Sequence, residues 1–512
     1  METYLNFSAN NLWGEIWIEL ALCIGAMIVL GLGLLGGASK KTSGNFAILF
    51  QVVLLIVHLL DYLLLRHTFD RESFSGMLKH GIQQDIIRSF LLFSSLLVSI
   101  LGQGFISLRN LRIGEFHHLT MIATAGLMIL CQSQHFIVLF VALETVALCF
   151  YPLVAFDRES PKSLEAGIKY LIFGALSSAL FLLGIVFLYG VGSNPIAWGA
   201  SVPVSGLQDA FSFDGLYHLI IANPDHPLIK AGVVLIISGI AFKIGAAPFQ
   251  IWVPDVYHGA PMPVTAFLAV SSKAAGFFLL MNLVNGPLQG MTSFLLPLLG
   301  FVATFTIFFG NLAACSQRNL KRMLGLSGVA HAGYLMVAVM ASMILPGSSD
   351  RAIWILFFYL FTYLLASFAV FGVMGIAKLE DDSEHEMQHY EDLAKKKPWA
   401  GLTLVIGIGS LAGIPPLAGF IGKLLLFSVA FETKLYLSIV AMVVGVVISI
   451  YYYFGWIREI CFTPRPVWDD DPPKENPWIE SENFSLIRPT LLSLALASLI
   501  FGLWQGPLGD AF

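Results

Sequence analysis

The chain has 512 residues, of which 57% are hydrophobic and only 12% are charged, and its formal net charge is −5. Soluble domains devote about a quarter of their residues to charge. A mean hydropathy of +0.79 therefore excludes an ordinary soluble or nucleic-acid-binding protein and predicts an all-α integral membrane protein. The five cysteines lie far apart without metal-ligand or cluster spacing, so neither a metal site nor an iron–sulfur cluster is expected in this chain.

Apolar runs of bilayer length follow one another along the whole chain. A helix needs roughly 20 such residues to cross a bilayer. Cutting the sequence at its polar punctuation predicts about fourteen transmembrane helices, at 15–36, 45–65, 88–108, 116–132, 135–155, 164–190, 228–250, 261–284, 292–316, 321–344, 353–378, 399–430, 435–461 and 486–505. Most Lys and Arg residues fall in the loops opposite the N-terminus, so the positive-inside rule predicts that both termini are non-cytoplasmic.

Five ionisable residues lie within these apolar spans: Lys169, Lys243, Lys273, Lys423 and Glu144. A charge at the bilayer centre costs at least about 2.5–3.5 kcal/mol. All five are therefore expected to face the protein interior or internal water, unless they sit close enough to a span end to reach the interface.

Two interpretations of these residues stay open. The ions pair and only hold helices together, or they carry protons. For Lys169, close to Glu165 at a helix start, snorkelling to the interface is an equally good explanation. One glutamate cannot neutralise three lysines, and a desolvated ammonium without a counter-ion releases its proton more readily. We therefore expect a proton conduit in which Glu144 acts as a switch.

Glycine and proline interrupt two spans beside a lysine, in SGIAFKIGAAPFQIWVPD around Lys243 and in IGIGSLAGIPPLAGFIGK before Lys423. Matching discontinuous helices in two halves of a chain indicate an ion site in repeat-built transporters. We predict two inverted five-helix repeats, 116–284 and 292–461. A three-helix segment, 1–115, precedes them, and a cytoplasmic loop with a C-terminal helix, 462–512, follows.

Four stretches carry a family resemblance: SLEAGIKY, FKIGAAPFQIWVPDVYHGAPMPVTAFLAVSSK, LSGVAHAGY and LAGIPPLAGFIGKLLLF. They resemble the antiporter-like subunits of respiratory complex I, most of all the chain N type of NADH-quinone oxidoreductase. The resemblance covers nearly the whole chain. It implies Glu144 and Lys243 as a paired switch, Lys273 as the central relay, Lys423 as the terminal relay, and His331 as the carrier between the last two.

One position departs from the family. Gln250 stands where some chain N sequences have a histidine, and glutamine orients water but cannot take up a proton.

The resemblance also implies a setting. The chain is expected to be a non-redox subunit of a proton-translocating NADH:quinone oxidoreductase in a bacterial inner membrane or an equivalent energy-coupling membrane. NADH, FMN, iron–sulfur clusters and quinone are expected in partner subunits, with the antiporter-like chain M and small chains such as K and J as neighbours. The alternatives are a subunit of a multi-subunit cation/proton antiporter or membrane-bound hydrogenase, and a membrane scaffold that transports nothing.

Two further polar features have mainly structural interpretations. His58 and Asp61 are one helical turn apart in the second span, where they form a polar pair or border a water path. The acidic stretch from Glu380 to Asp392 is expected to be solvated surface or a subunit-docking segment.

Overall fold

The computed structural model describes residues 11–34, 40–65, 70–109, 111–204, 206, 209–345, 349–377, 381–462 and 486–504. These residues are nearly all helical, which confirms the predicted all-α membrane fold. The predicted loop after 462 lies mostly outside the described residues, as does Glu380.

Long helices are joined by short links through most of the described chain. Before the first broken helix they are α1 (Trp17–Leu34), α2 (Lys40–Leu65), α3 (Ile82–Leu108), α4 (Ile113–Gln132), α5 (Phe136–Val154), α6 (Pro161–Ser193) and the shorter α7 (Phe213–Ala222). The next group comprises α8 (Pro227–Ile244), α9 (Val253–Gly259), α10 (Met262–Phe267), α11 (Lys273–Asn285) and α12 (Thr292–Cys315). The last group comprises α13 (Leu320–Ile344), α14 (Ser349–Gly375), α15 (Leu393–Lys396), α16 (Pro398–Ala412), α17 (Ala418–Glu432), α18 (Tyr436–Phe462) and α19 (Ile487–Leu503).

Twelve helical segments of the described chain are long and apolar enough to cross a bilayer. The broken pair α16–α17 and the 17-residue helix α19 are shorter helices that occupy the positions of two further predicted spans, 399–430 and 486–505. One boundary difference concerns α3, which begins at Ile82 rather than near 88. Asp85 therefore lies within a membrane helix instead of in a loop, and Arg88 lies inside that helix instead of at its end.

Both predicted helix breaks are present, and they end in the same way. Helix α8 stops at Gly245 and α16 stops at Gly413, each in the left-handed conformation with φ of +72° and +83°. In each case the amide after the glycine bonds back five residues, from Ala246 to Ala241 O at 2.8 Å and from Ile414 to Gly409 O at 2.9 Å. Glycine is required because a side chain strains this conformation. A proline follows three residues after each glycine and prevents simple continuation.

A short hairpin connects α2 to α3. Strands β1 (Arg71–Ser73) and β2 (Leu78–His80) pair antiparallel, and Leu78 forms an isolated bridge with Ser133 in the link between α4 and α5. The hairpin thereby fastens the first three helices to the rest of the bundle at one end.

The centre of the bundle consists of two helical stretches. Residues Met262–Asn285 and Leu320–Ile344 are buried along the whole of their apolar windows, whereas α6 and α18 expose most of theirs. Exposed leucines, isoleucines and phenylalanines on the outer helices are the side chains expected to meet lipid. One turn of the central stretch, Leu268–Ser272, is π-helical and comes directly before Lys273.

Candidate functional site

Lys273 lies at the centre of the bundle, immediately after the π-helical turn. Lys273 is only 4% exposed, and its Nζ donates to the carbonyl oxygen of Gly328 on α13 at 2.5 Å. The same Nζ lies 5.4 Å from the ring centroid of Tyr363 on α14, within the range of a cation–π contact. The amine is therefore held by a neutral carbonyl and an aromatic face.

His331 follows Gly328 by three residues and so lies on the same side of α13. Its Nδ1 is 2.7 Å from the hydroxyl of Tyr359, and its ring centroid is 5.0 Å from that of Tyr363. Tyr363 thus contacts both Lys273 and His331, which brings the central amine and the imidazole into one buried cluster.

Lys423 completes this cluster from the second broken helix. Its Nζ donates to the carbonyl oxygens of Leu411 and Ala412, each at 2.8 Å. These are the last residues of α16, where unpaired carbonyls and the helix dipole favour a cation. A cavity of about 10 Å³ is lined by His331, Tyr359 and Lys423. The structure therefore brings three of the predicted site residues, Lys273, His331 and Lys423, to one place.

Lys243 and Glu144 lie on the other side of Lys273. Lys243 and Ser272, the residue before Lys273, line one cavity of about 20 Å³. Glu144 is partly buried and acts electrostatically on Lys243, but the two form no ion pair within 4.0 Å. The Oε1 atom of Glu144 is buried and has no hydrogen-bond partner among the described residues. The two members of the expected switch are therefore not joined by an ion pair in this structure.

Among the residues that the structure describes, no carboxylate lies within 4.0 Å of the Nζ atoms of Lys243, Lys273 or Lys423. This agrees with the sequence argument that acidic partners are too few.

Lys169 is placed differently from the other lysines. Its side chain is 36% exposed and its Nζ lies 2.7 Å from both Glu165 and Asp255. Asp255 also pairs with Arg322 at 2.8 Å, and these cations hold the pKa of the Asp255 carboxyl below its usual range. The geometry matches the interfacial interpretation of Lys169, and the structure does not bring it to the buried cluster.

The expectation of solvated surface is wrong for part of the acidic stretch after 380. Asp382 is 9% exposed and lies 2.9 Å from Nζ of Lys321, whose side chain is wholly buried. Lys321 also donates to the carbonyl of Ala260 at 2.7 Å, and His385 and Arg109 approach the same carboxylate. Despite burial, these cationic and hydrogen-bonding neighbours lower the pKa of Asp382 to about 2.

A second buried ion cluster joins α1, α3 and α4. Arg88 pairs with Glu19 at 2.7 Å and with Asp85 at 3.2 Å, and Gln132 donates to Glu19 at 2.6 Å. His58 is 2% exposed, with its Nε2 3.1 Å from the carbonyl of Asp85. His58 therefore faces this cluster, and Asp61 is only partly buried.

Sequence reasoning missed the tyrosines of the central cluster. Tyr334, Tyr359 and Tyr363 lie in apolar helices, where an aromatic residue usually indicates packing. The ring face of Tyr334 lies 5.7 Å from Lys423 Nζ, and its hydroxyl oxygen accepts a hydrogen bond from the Asn311 amide at 3.1 Å. The available signal was their spacing, since Tyr359 and Tyr363 are one turn apart and His331 and Tyr334 are three residues apart.

The fold and the site are those of multi-pass membrane proteins with discontinuous helices and ionisable groups at lipid depth. A family model described as NADH:quinone oxidoreductase/Mrp antiporter, TM, matches residues 133–449. The chain therefore belongs to this family.

Individual relatives agree with that assignment. The chain is 49% identical over 439 residues to NADH-quinone oxidoreductase subunit N 1 of Opitutus terrae, which covers 86% of this chain and 84% of that protein. A chain of respiratory complex I from Thermus thermophilus is 27% identical, with a TM-score of 0.74 over 96% of this chain and 97% of that one. A chain of the Mrp complex from Dietzia sp. is 17% identical and shares the fold, with a TM-score of 0.78 over 97% and 96%.

Proposed function

We propose that this protein is a proton-translocating membrane subunit of an NADH–quinone oxidoreductase complex and that it moves protons through its buried lysines while quinone is reduced in another subunit. The observation that carries the proposal is the central cluster. Two amines and an imidazole, from Lys273, Lys423 and His331, are buried at lipid depth, and neutral carbonyls rather than carboxylates hold the amines. Groups held in this way can gain and lose a proton without breaking an ion pair.

The relay follows from the contacts. A proton released by Lys273 reaches the His331 ring past Tyr363 through an intervening water, because no direct hydrogen bond joins the two described side chains. His331 passes it to Lys423 across the small cavity that both line. The tyrosine hydroxyls keep the imidazole and the waters oriented. Each charge moved across the membrane is worth about 2.3 kcal/mol per 100 mV.

Glu144 and Lys243 act as the switch in this proposal. When the carboxylate approaches the amine, Lys243 holds its proton, and when the two separate, Lys243 passes the proton through the cavity beside Ser272 toward Lys273. The unpartnered Oε1 of Glu144 supports the proposal because it leaves the carboxylate free to move to a new partner. Lys169 has a place at the edge of this route, where its partner Asp255 connects it to α9, the short helix after the first break.

The two broken helices are the matching elements of two inverted repeats, 116–284 and 292–461, in this proposal. Their identical glycine caps support that division. The chain itself carries no redox centre. NADH, FMN, iron–sulfur clusters and quinone belong to partner subunits, and an antiporter-like chain M and small chains K and J are its membrane neighbours. The loops rich in Lys and Arg face the cytoplasm, both termini face the opposite side, and the membrane is a bacterial inner membrane.

The test uses the purified complex in proteoliposomes. Lys273→Ala and Lys423→Ala are compared with Lys230→Ala, which removes an amine from an exposed ion pair with Asp225. Proton translocation is followed with a pH-sensitive dye, and NADH oxidation by ferricyanide reports the electron-transfer arm. Both site variants should lose translocation and keep ferricyanide reduction, while the control keeps both.

Unchanged translocation in the site variants would refute the proposal, and equal loss of both activities would assign the lysines to assembly instead. If the vesicles transport sodium rather than protons, the result would favour a subunit of a cation/proton antiporter.

A further inference from the structure

Buried polar side chains line the contact between α2, α3 and α4, away from the central cluster. On α3 they recur every four residues, at Ser95, Ser99 and Gln103, and so form one face of the helix. With a rise of 1.5 Å per residue they extend over about 12 Å. Facing them on α2 are Gly44 and Gln51, seven residues apart, and on α4 His117. Ser95, Ser99, Gln51 and His117 are each 0% exposed.

Protein groups satisfy only part of this polar face. Within the described parts of the chain, neither ring nitrogen of His117 has a hydrogen-bond partner, and the same holds for Ser95 Oγ, Gln51 Oε1 and Gln103 Oε1. Buried polar atoms nearly always have partners, and burying one without a partner destabilises the fold. Water molecules satisfy such groups where several polar atoms converge. These atoms therefore indicate a hydrated seam between the three helices.

The seam begins at one surface. Asn45 is exposed and accepts a hydrogen bond from Gln103 at 2.6 Å. A Cβ placed on Gly44 would lie 3.3 Å from the Gln103 side chain and 3.4 Å from His117 Nε2, so these two side chains border the same space. The residues next to this end are Lys40 and Arg109, which belong to the side that is cytoplasmic under the proposed orientation.

The seam ends at the helix that carries Lys273. Gln51 donates to Ser99 at 2.8 Å, and five residues before Ser99, on the adjoining face of α3, Ser94 and Ser271 form a hydrogen bond of 2.5 Å. Ser271 is part of the π-helical turn, and the next residue, Ser272, lines the cavity that also contains Lys243. The polar route therefore arrives between the first two lysines of the relay.

The seam does not continue across the membrane. Beyond Ser94, Leu91 and Leu92 are both 0% exposed and give no polar group to water. Arg88 follows, held as a cation by Glu19 and Asp85. A stretch without water and a fixed positive charge both oppose proton transfer. A proton in the seam is therefore transferred toward Ser271.

We propose that this hydrated seam is a proton-uptake path through the N-terminal helices, with His117 as its protonatable member. The proposal rests on the proposed proton-translocating function. A proton arriving on water binds the bare ring nitrogen of His117 while the other nitrogen releases its proton to the next water, which leaves the ring as the opposite neutral tautomer. The ring returns to its first tautomer by a flip of the imidazole or by proton exchange through the seam waters before the next proton passes. The serine hydroxyls and the Gln51 amide orient the waters that lead to Ser271.

The first test is His117→Leu in the intact complex, with His118→Leu as the matched control. His118 is the next residue on α4, but its Nδ1 is bound to the Ala26 carbonyl at 2.9 Å, outside the seam. Because a positioned acid–base group typically contributes 10²- to 10⁴-fold and water can replace part of this, His117→Leu should slow translocation by at least about tenfold. His118→Leu should leave it unchanged, and ferricyanide reduction should persist in both.

The second test reports hydration without relying on pumping. Ser99→Cys and Leu97→Cys are made in a background that lacks the native cysteines, and both are exposed to aminoethyl methanethiosulfonate from the cytoplasmic side. Leu97 is 2% exposed, so burial is matched and only contact with water differs. Ser99→Cys should react at least about tenfold faster, since the reactive thiolate forms only where water reaches it.

Equal, slow labelling of the two cysteines would overturn the proposal, as would a His117→Leu complex that pumps like its control. If Lys273→Ala abolishes pumping and His117→Leu does not, this uptake path is wrong and the relay stands. If Lys273→Ala itself pumps normally, the proposed function has failed.

Discussion

Asp382→Asn should destabilise the protein much more than the loss of one surface charge. The substitution removes the carboxylate 2.9 Å from Lys321 and leaves an ammonium that is wholly buried. Removing one partner of a buried ion pair costs about 3–5 kcal/mol because the remaining charge is uncompensated. The matched control is Asp225→Asn. Asp225 pairs with Lys230 at 2.7 Å, but its side chain is 93% exposed. The control substitution should therefore lower the free energy of unfolding by at most about 1 kcal/mol.

The loss converts into a shift of Tm. The unfolding entropy of soluble proteins is about 2.1 cal/mol/K per residue. By this value a 512-residue chain would have an unfolding entropy of about 1 kcal/mol/K. A loss of about 3–5 kcal/mol in the free energy of unfolding would then lower Tm by about 3–5 °C. Membrane helices persist after unfolding and make the entropy smaller, so about 3 °C is a minimum. Since the pKa of Asp382 is about 2, below the ordinary 3.8, its ionised form stabilises the fold at every pH above that ordinary value. The effect of the substitution should therefore be constant between about pH 6.5 and 8.

The assay is thermal unfolding of the purified complex in detergent, followed by a thiol-reactive dye, and a double-mutant cycle completes it. Adding Lys321→Met to Asp382→Asn removes the stranded charge and should recover more than half of the loss. Strictly additive losses, or a loss equal to that of Asp225→Asn, would refute the view that this buried pair holds the loop after α14 against α13.

Three substitutions in the central site have distinct expected outcomes. Tyr359→Phe removes the hydroxyl 2.7 Å from His331 Nδ1; at about 1 kcal/mol per hydrogen bond, the rate of proton translocation should fall about fivefold while assembly is kept. Gly328→Ala would place a Cβ 3.1 Å from both Lys273 Nζ and Tyr363 Oη, and by displacing the amine it should also lower translocation. Gly419→Ala would place a Cβ 1.9 Å from the Ser410 carbonyl oxygen. The start of α17 then cannot pack against the end of α16, and the amount of assembled complex should fall. Dye quenching in vesicles measures the first two effects, and native gel electrophoresis measures the third.

Matched controls exist on other membrane helices of the described chain. Tyr436→Phe alters a tyrosine that is 61% exposed, Gly300→Ala meets only the Met340 sulfur at 3.7 Å, and Gly455→Ala meets nothing within 4 Å. If any control behaves like its site variant, the assigned contact is not the cause of the effect.

Sequence alone predicted the features that depend on composition along the chain. Hydropathy defined the spans because lipid requires every backbone group to be satisfied within a helix. Glycine and proline located both helix breaks because few other residues permit a left-handed cap or remove an amide donor. The burial of Lys273 and Lys423 followed from the cost of charge in lipid.

The remaining features depend on which helices meet, and the pattern along one helix does not contain that information. Arg88 looked like a cation at a helix end because its partner Glu19 is 69 residues away on another helix. Asp382 looked solvated because acidic loop residues usually are, and only the start of α13 places Lys321 beneath it. Ser95, Ser99 and His117 are ordinary in membrane helices until the structure shows that they face one another.

The carbonyl grip on Lys423 has a consequence for how often the site can be used. A carboxylate partner would become a stranded anion each time the amine gave up its proton, and the next cycle would begin by restoring a strong attraction. Leu411 and Ala412 offer only peptide dipoles, which are the same before and after the proton leaves. The end of α16 thus accommodates the charged and the neutral amine alike, and no strong attraction has to be overcome or restored between turnovers.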